Sequence, residues 1–203
     1  MTNIFRITAA AAFLTLGACS QAPAEPPAVT TGAWTLDGEA SQLSYVSIKL
    51  GEIAEVNSFE TVSGSVSADG GAVIEIDLAS VDTGVDIRNE RMRDVFFVVA
   101  DHPTATVTAQ IDPAAFEALG VGASTLQMLD GTLSIKGIEA PFQTEVTVTR
   151  TGADRVLAVS NAPVIVEASR FELTGGLAEL QELANLDSIT PVVPVTFSLT
   201  FER

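Results

Sequence analysis

Three observations predict an all-β domain, either a barrel or a sandwich. Apolar and polar residues alternate with period two in several runs, most clearly Ile74, Ile76 and Leu78 against Glu75, Asp77 and Ala79. Hairpin-type clusters, Ala68-Asp69-Gly70-Gly71 and Thr151-Gly152-Ala153-Asp154, separate such runs. Helical spacing is confined to two short pieces. Strands this numerous, at this spacing, must close into a barrel or stack into two sheets to bury one face each.

In chain order, residues 33–37 and 41–50 are β-rich, with Trp34, Leu36, Leu43 and Tyr45, and Gly51 ends the second run. Residues 57–67 read as one further strand carrying Phe59, Val62 and Val66, and 72–81 as the next. The segment from Asp82-Thr83-Gly84 through Arg88, Arg91 and Arg93 to Phe96-Phe97 joins a strand end, a sharp turn, clustered positive charge and an aromatic pair. Read as strand residues, Phe96 and Phe97 point to opposite faces, so at most one faces an interior. Glu90 and Asp94 lie among the arginines and are their expected salt-bridge partners. Strands follow at 105–111, 131–136, 142–151, 155–167 and 192–203; Pro191 and Pro194 fall near the start of the last, where proline is tolerated. The helical pieces are 113–119, after Asp112 as N-cap, and 177–185, with Leu177, Leu180, Leu183 and Ala184 on one side.

The first residues read as a targeting segment. Residues 7–16 form an apolar run too short to span a bilayer and suited to a signal peptide. The run ends in Leu16-Gly17-Ala18-Cys19, which resembles the bacterial lipobox, where cleavage precedes a cysteine that is then acylated. Cys19 is the single cysteine, so no intramolecular disulfide forms, and acylation gives an unpaired cysteine a role. Residues 1–18 are therefore expected to be a lipoprotein signal peptide, 19–32 a lipidated Pro/Ala-rich tether, and 33–203 the folded domain. By resemblance to lipoproteins of double-membraned bacteria, Ser20 implies an exported, periplasm-facing protein held at the outer membrane.

The formal charge of −16 excludes nonspecific nucleic-acid binding and attraction to an anionic membrane face. Catalytic equipment is thin. His102 is the only histidine, the sole cysteine is spent at the N-terminus, and no Gly-x-Ser-x-Gly elbow is present. No metal site, cofactor or enzyme activity is expected. The ten phenylalanines against one tryptophan and one tyrosine suit a dry cavity or a plain core.

The ordered series Trp34-Thr35-Leu36-Asp37, Ser41-x-Leu43-x-Tyr45, Ser63-Gly64-x-Val66, Asp82-Thr83-Gly84, Arg88, Met92-Arg93, Phe96-Phe97, His102-Pro103-x-Ala105-x-Val107 and Gly131-Thr132-Leu133-Ser134-Ile135-Lys136-Gly137 with Pro141 resembles the YceI-like family of polyisoprenoid-binding, lipocalin-like bacterial proteins. The resemblance implies an extended antiparallel lipocalin-like β-barrel of about eight strands with one or two short helices. It implies a bound isoprenoid-type lipid or related amphiphile, a quinone included, kept for carriage, storage or sequestration outside the cytoplasm. Arg170-Phe171-Glu172 departs from the family's late Asp-Phe-Gly, and residues 177–189 read as an insertion before the last strand. Candidate tail contacts are Phe59, Met92, Phe96, Phe97, Phe142 and Phe171; candidate head-group contacts are Arg88, Arg91 and Arg93. The competing expectation is a membrane-anchored structural or stress-related lipoprotein that acts through a protein partner and has a side-chain-filled barrel. A third is an enzyme acting on a lipid or quinone, with His102 as its candidate group.

Overall fold

The alternation is realised as one sheet that closes on itself. The computed structural model describes residues 32–116 and 119–203, so the expected signal peptide, Cys19 and nearly all of the expected tether lie outside the described residues. The strands are β1 (Trp34–Lys49), β2 (Ile53–Phe59), β3 (Val62–Val66), β4 (Gly71–Asp77), β5 (Val81–Asp82), β6 (Thr104–Gln110), β7 (Ser124–Ile135), β8 (Ile138–Gly152), β9 (Arg155–Ser160), β10 (Val164–Glu167) and β11 (Val192–Glu202). Two helices, α1 (Asp86–Arg91) and α2 (Thr174–Leu183), accompany them.

Eight strands form the closed antiparallel ring β1-β3-β4-β6-β7-β8-β9-β11, with β11 returning to β1. The other three extend it at one end. Strand β2 pairs with the second half of β1, β5 with β2, and β10 with the start of β11. We call the Trp34 end of β1 the lower end and the Lys49 end the upper.

Several expected strands differ in their limits. The two opening runs are one long strand, β1, broken by a bulge between Asp37 and Gln42. The bulge satisfies its own polar groups: Ala40 N donates to Asp37 Oδ1 at 3.2 Å, and Ser41 Oγ donates to the Asp37 carbonyl at 2.6 Å. The expected single strand 57–67 is two, β2 and β3, turning at Glu60 and Thr61. No glycine or proline marks that corner. It is held from outside by Ser80, whose carbonyl accepts from Glu60 N and whose Oγ accepts from Thr61 N. The expected strand 155–167 likewise divides into β9 and β10 around Asn161-Ala162-Pro163.

The expected helix 113–119 is shorter, a 3₁₀ turn over Pro113–Phe116, with Asp112 Oδ1 accepting from Ala114 N at 3.0 Å as its cap. The insertion before the last strand carries α2, and Ile189 beyond it bridges back to Lys49.

The wall is uneven at its lower end. Strand β6 stops at Gln110, whose neighbour Ala109 pairs with Gly131. The first half of β7, from Ser124 to Asp130, therefore runs on beside β8 alone among the described residues. At about 3.3 Å per residue that is roughly 23 Å of strand without a second neighbour. The connection from β6 to β7 is tied across this region by Arg150. Its fully buried guanidinium donates to the carbonyls of Leu119 at 3.1 Å, Ala153 at 2.8 Å and Gly152 at 3.1 Å. Period two in β8 puts Arg150 on the inward face with Val146 and Val148, and the carbonyls make its burial tolerable.

Candidate functional site: an apolar barrel cavity with one polar end

The ring encloses a cavity of about 540 Å³, within the usual range for small-molecule sites. Inward-facing residues of every ring strand line it, among them Leu43, Val62, Ile74, Val107, Leu133, Phe142, Val146, Ala158 and Phe197. The lining is overwhelmingly apolar through the middle. Toward the lower end Ile111, Phe116 and Leu129 stand beside the polar Gln110, Asp112 and Gln127.

Glycine at position 131 shapes the middle of the cavity. A Cβ there would lie 2.5 Å from the Phe142 ring of the facing strand, so the ring packs against bare backbone. Any side chain at 131 would push Phe142 from its place.

Toward the upper end an aromatic row forms one side. Ring centroids run Tyr45 to Phe59 at 5.7 Å, Phe59 to Phe97 at 5.9 Å, and Phe97 to Phe96 at 4.8 Å edge-on. Both Phe96 and Phe97 line the cavity, against the expectation that only one could. The reason is local. Residues Met92–Phe97 are a wide π-helical turn rather than a strand, so consecutive side chains are not sent to opposite faces.

The upper end itself is polar, and its residues come from three elements. On the inward face of the β1–β2 hairpin, Tyr45 lies opposite Asn57, Ser47 opposite Glu55, and Lys49 opposite Ile53. Helix α1 brings Arg88 across from the other side. Arg88 Nη1 donates to Glu55 Oε2 at 2.6 Å and Nη2 to the Thr83 carbonyl at 2.5 Å; Lys49 Nζ lies 2.8 Å from the same Glu55 oxygen. The expected partners Glu90 and Asp94 make no ion pair with an arginine among the described residues; the carboxylate that serves Arg88 comes from β2. The Lys49 hydrogen bond, followed by Arg88, holds the Glu55 carboxyl below its ordinary value. Burial pushes the Tyr45 phenol well above its ordinary value, so it stays protonated.

The turn Asp82-Thr83-Gly84 fixes where Arg88 points. Asp82 Oδ1 accepts from Gly84 N at 2.9 Å and from Asn89 Nδ2 at 3.2 Å. Asn89 Oδ1 accepts from Thr83 N at 2.8 Å and Thr83 Oγ1 at 2.5 Å. Gly84 sits at φ +71°, a conformation that suits glycine. The backbone N–H of Gly84, then the Asn89 amide, lower the Asp82 carboxyl from its ordinary value. This knot locks the start of α1 against β5, which sets the guanidinium over β2.

Of the candidate tail contacts, Phe59, Met92, Phe96, Phe97 and Phe142 line the cavity. Phe171 does not. It is 2% exposed in the 3₁₀ turn Ala168–Phe171, packed into the core behind the wall. Of the candidate head-group residues, Arg88 and Arg91 line the cavity and Arg93 does not, because the π-helical turn carries it away from the wall. Tyr45, Ser47, Lys49, Glu55 and Asn57 were not anticipated as site residues. Only the alternation of Tyr45, Ser47 and Lys49 in β1 could have flagged them. His102 is half-buried outside the cavity lining. Among the described residues no group of histidine, cysteine and carboxylate side chains is placed to hold a metal ion, and no helix is long and apolar enough to cross a membrane.

A closed antiparallel barrel around a largely apolar cavity defines a lipocalin-like ligand-binding class. Residues 34–201 match the YceI-like domain, and the chain belongs to that family. A polyisoprenoid binding domain from Saccharophagus degradans, described as implicated in plant cell wall breakdown, is 38% identical to it. That alignment covers 84% of this chain and 98% of that domain, with a TM-score of 0.81. BcnA of Burkholderia cenocepacia is 22% identical over 81% of this chain and 98% of its own, with a TM-score of 0.63, and shares the fold. No curated protein matches the chain.

Proposed function

We propose that this protein is an extracytoplasmic lipid carrier. It holds a polyisoprenoid or related amphiphile, prenylquinones included, with the tail along the barrel axis and the head at the upper end. The observation that carries the proposal is the cavity itself: about 540 Å³, largely apolar along its length, with the charged group of Lys49, Glu55 and Arg88 at its upper end. The 38% identity to a polyisoprenoid binding domain supports the same ligand class. Each methylene moved from water into such an interior contributes about 0.8 kcal/mol, so a long prenyl tail supplies the affinity and the head supplies orientation. Phe59, Met92, Phe96, Phe97 and Phe142 are the tail contacts, and Arg88 with Arg91 belongs to the head-group end.

The protein acts by carriage, storage or sequestration rather than by chemistry. His102, the candidate group for an enzyme acting on a lipid or quinone, lies off the lining. An open interior favours this over a filled barrel that works only through a protein partner. Acylation of Cys19 anchors the protein to the outer membrane by the tether 19–32; Cys19→Ser is expected to abolish incorporation of radiolabelled palmitate.

The deciding experiment extracts protein purified from its native membrane with organic solvent and analyses the extract by mass spectrometry. A stoichiometric isoprenoid-type lipid is expected. Recovery of none, and no uptake when polyprenyl lipids are then offered, would overturn the proposal.

A further inference from the structure

We infer that the upper rim of the barrel is a membrane-docking surface, which seats on a zwitterionic lipid bilayer with the cavity mouth turned toward it when ligand is taken up or released. The inference rests on the lipid-carrier reading and adds how the carrier meets its membrane.

The cavity reaches the surface at this end. Lys49, Glu55 and Arg88 line it while their side chains are between 23% and 31% exposed. Three elements frame the mouth, and each sets an exposed apolar residue next to a lining one. The β1–β2 turn places Leu50 beside Lys49, α1 places Ile87 beside Arg88, and the end of α2 places Leu183 beside Ala184. Ile53 and Val85 extend the first two groups, and all five are between 41% and 51% exposed. The elements are tied to one another. Leu50 N donates to the Ser188 carbonyl at 3.0 Å, joining the turn to the segment after α2, and Arg88 joins α1 to Glu55 of β2. Single exposed apolar residues need no explanation, whereas a group of them around an opening marks an interaction site.

Leu50 is an independent indication. Its turn is closed by Glu52 N, which donates to the Lys49 carbonyl at 3.2 Å, and Leu50 and Gly51 at the centre both have positive φ, +54° and +76°. Asparagine, aspartate or glycine suits the first of these positions, and leucine is strained there. The side chain stays exposed, so packing does not offset the strain. A residue that breaks the local rule without gain to the fold belongs to a surface used for something else.

The cargo and the charge name the occupant. A prenyl tail released into water would lose the whole benefit of its burial, so it passes between cavity and bilayer only where the mouth meets lipid. A chain of formal charge −16 is not drawn to anionic lipid, and Glu52, Asp86 and Glu90 stand among the rim cations Lys49, Arg88 and Arg91. The contact is therefore made by apolar side chains entering the interface. At the lower end the exposed Leu126 and Met128 both stand on β7 and come from one stretch of chain.

The test uses full-length protein loaded with solanesol, a polyprenol, or with squalene, a headless isoprenoid, and phosphatidylcholine vesicles with and without phosphatidylglycerol. Residue 32 adjoins the start of β1, so anchoring through the N-terminal segment brings the lower end to lipid, not the upper. Ile53→Trp and Ile87→Trp are expected to be quenched by brominated acyl chains at least about twofold more than the lower-end reference Val121→Trp. The combined variant Leu50→Asn, Ile53→Ser and Ile87→Ser is expected to slow transfer of either cargo to vesicles about tenfold, with the affinity for both unchanged. Leu50→Asn alone should slow transfer while its Tm equals or exceeds that of the unaltered protein, a pairing that a merely structural leucine would not give. Phosphatidylglycerol should not speed transfer. Rim tryptophans quenched no more than Val121→Trp, or transfer unaffected by the combined variant, would overturn the inference and leave the carrier reading standing. Transfer that requires a second protein while the rim tryptophans stay unquenched would give the rim to a protein partner and overturn it as well. Failure to hold either cargo would remove both readings.

Discussion

Two arginines, Arg88 at the upper end of the barrel and Arg150 at the lower, meet burial in opposite ways. Arg150 spends its donors on backbone carbonyls of Leu119, Gly152 and Ala153 and takes no part in the cavity lining. Arg88 has a carboxylate and a carbonyl for its two terminal nitrogens, but its Nε is buried without a partner, and its side chain lines the cavity. An arginine bound to carbonyls of a loop and a hairpin closes a structure. One paired with a strand carboxylate and a turn carbonyl brings a helix across the upper end of the cavity. The two arginines thus tie a loop to a hairpin at one end and a helix to a strand at the other.

Four changes test this contrast, taken from the largest expected effect down. Arg150→Met leaves the buried Leu119 carbonyl and the part-buried carbonyls of Gly152 and Ala153 short of a donor, a cost of about 2–4 kcal/mol. The Tm should fall by about 10 °C in thermal unfolding, with lipid-free and lipid-loaded protein dropping alike. A fall confined to loaded protein would make Arg150 part of the binding site. Gly131→Ala should cost about 1–3 kcal/mol because the methyl meets the Phe142 ring. It should also weaken squalene binding, since the displaced ring enters the apolar middle of the cavity.

Arg88→Met should cost lipid-free protein about 1 kcal/mol, because Glu55 keeps Lys49 and an unpaired buried donor disappears with the side chain. Its larger effect should be on the Tm increase that solanesol confers, measured by the same unfolding assay. If the lipid-free loss equals that of Arg150→Met, the two ends are not different in kind. The smallest effect concerns pH. The Glu55 carboxyl is held down in the folded state, so its ion pairs stabilise at pH values above the ordinary carboxylate range near 4.3. That contribution is lost as pH falls through the folded value. Glu55→Gln should therefore lower stability slightly at pH 7 and flatten the acid limb below about pH 4, the two proteins converging as pH falls.

Strand positions were legible because their causes are local. Alternation in residues 72–78 and the turns at Gly70-Gly71 and Gly152 locate β4, β8 and β9 without any knowledge of their partners. The corner between β2 and β3 was not legible, since Ser80 supplies its support from nineteen residues away. The aromatic pair was placed on a strand because Val95, Phe96 and Phe97 satisfy strand propensity, whereas packing of the α2 backbone at Gly176 against Val95 and Phe96 accompanies a helical turn there. The site divides in the same way. Arg88 stood out against an acidic chain. Glu55 and Asn57 did not, because nothing in their own neighbourhood connects them to a helix thirty residues further on.

The ring is sealed by pairing Thr35 with Glu202, nearly the first described residue with nearly the last. Chains are made from the N-terminus, so β1 must wait with one side unpaired until all the others exist, and the seam closes late against a large loop entropy. Loss of the final strand would expose β1 and β9 together as two adhesive edges.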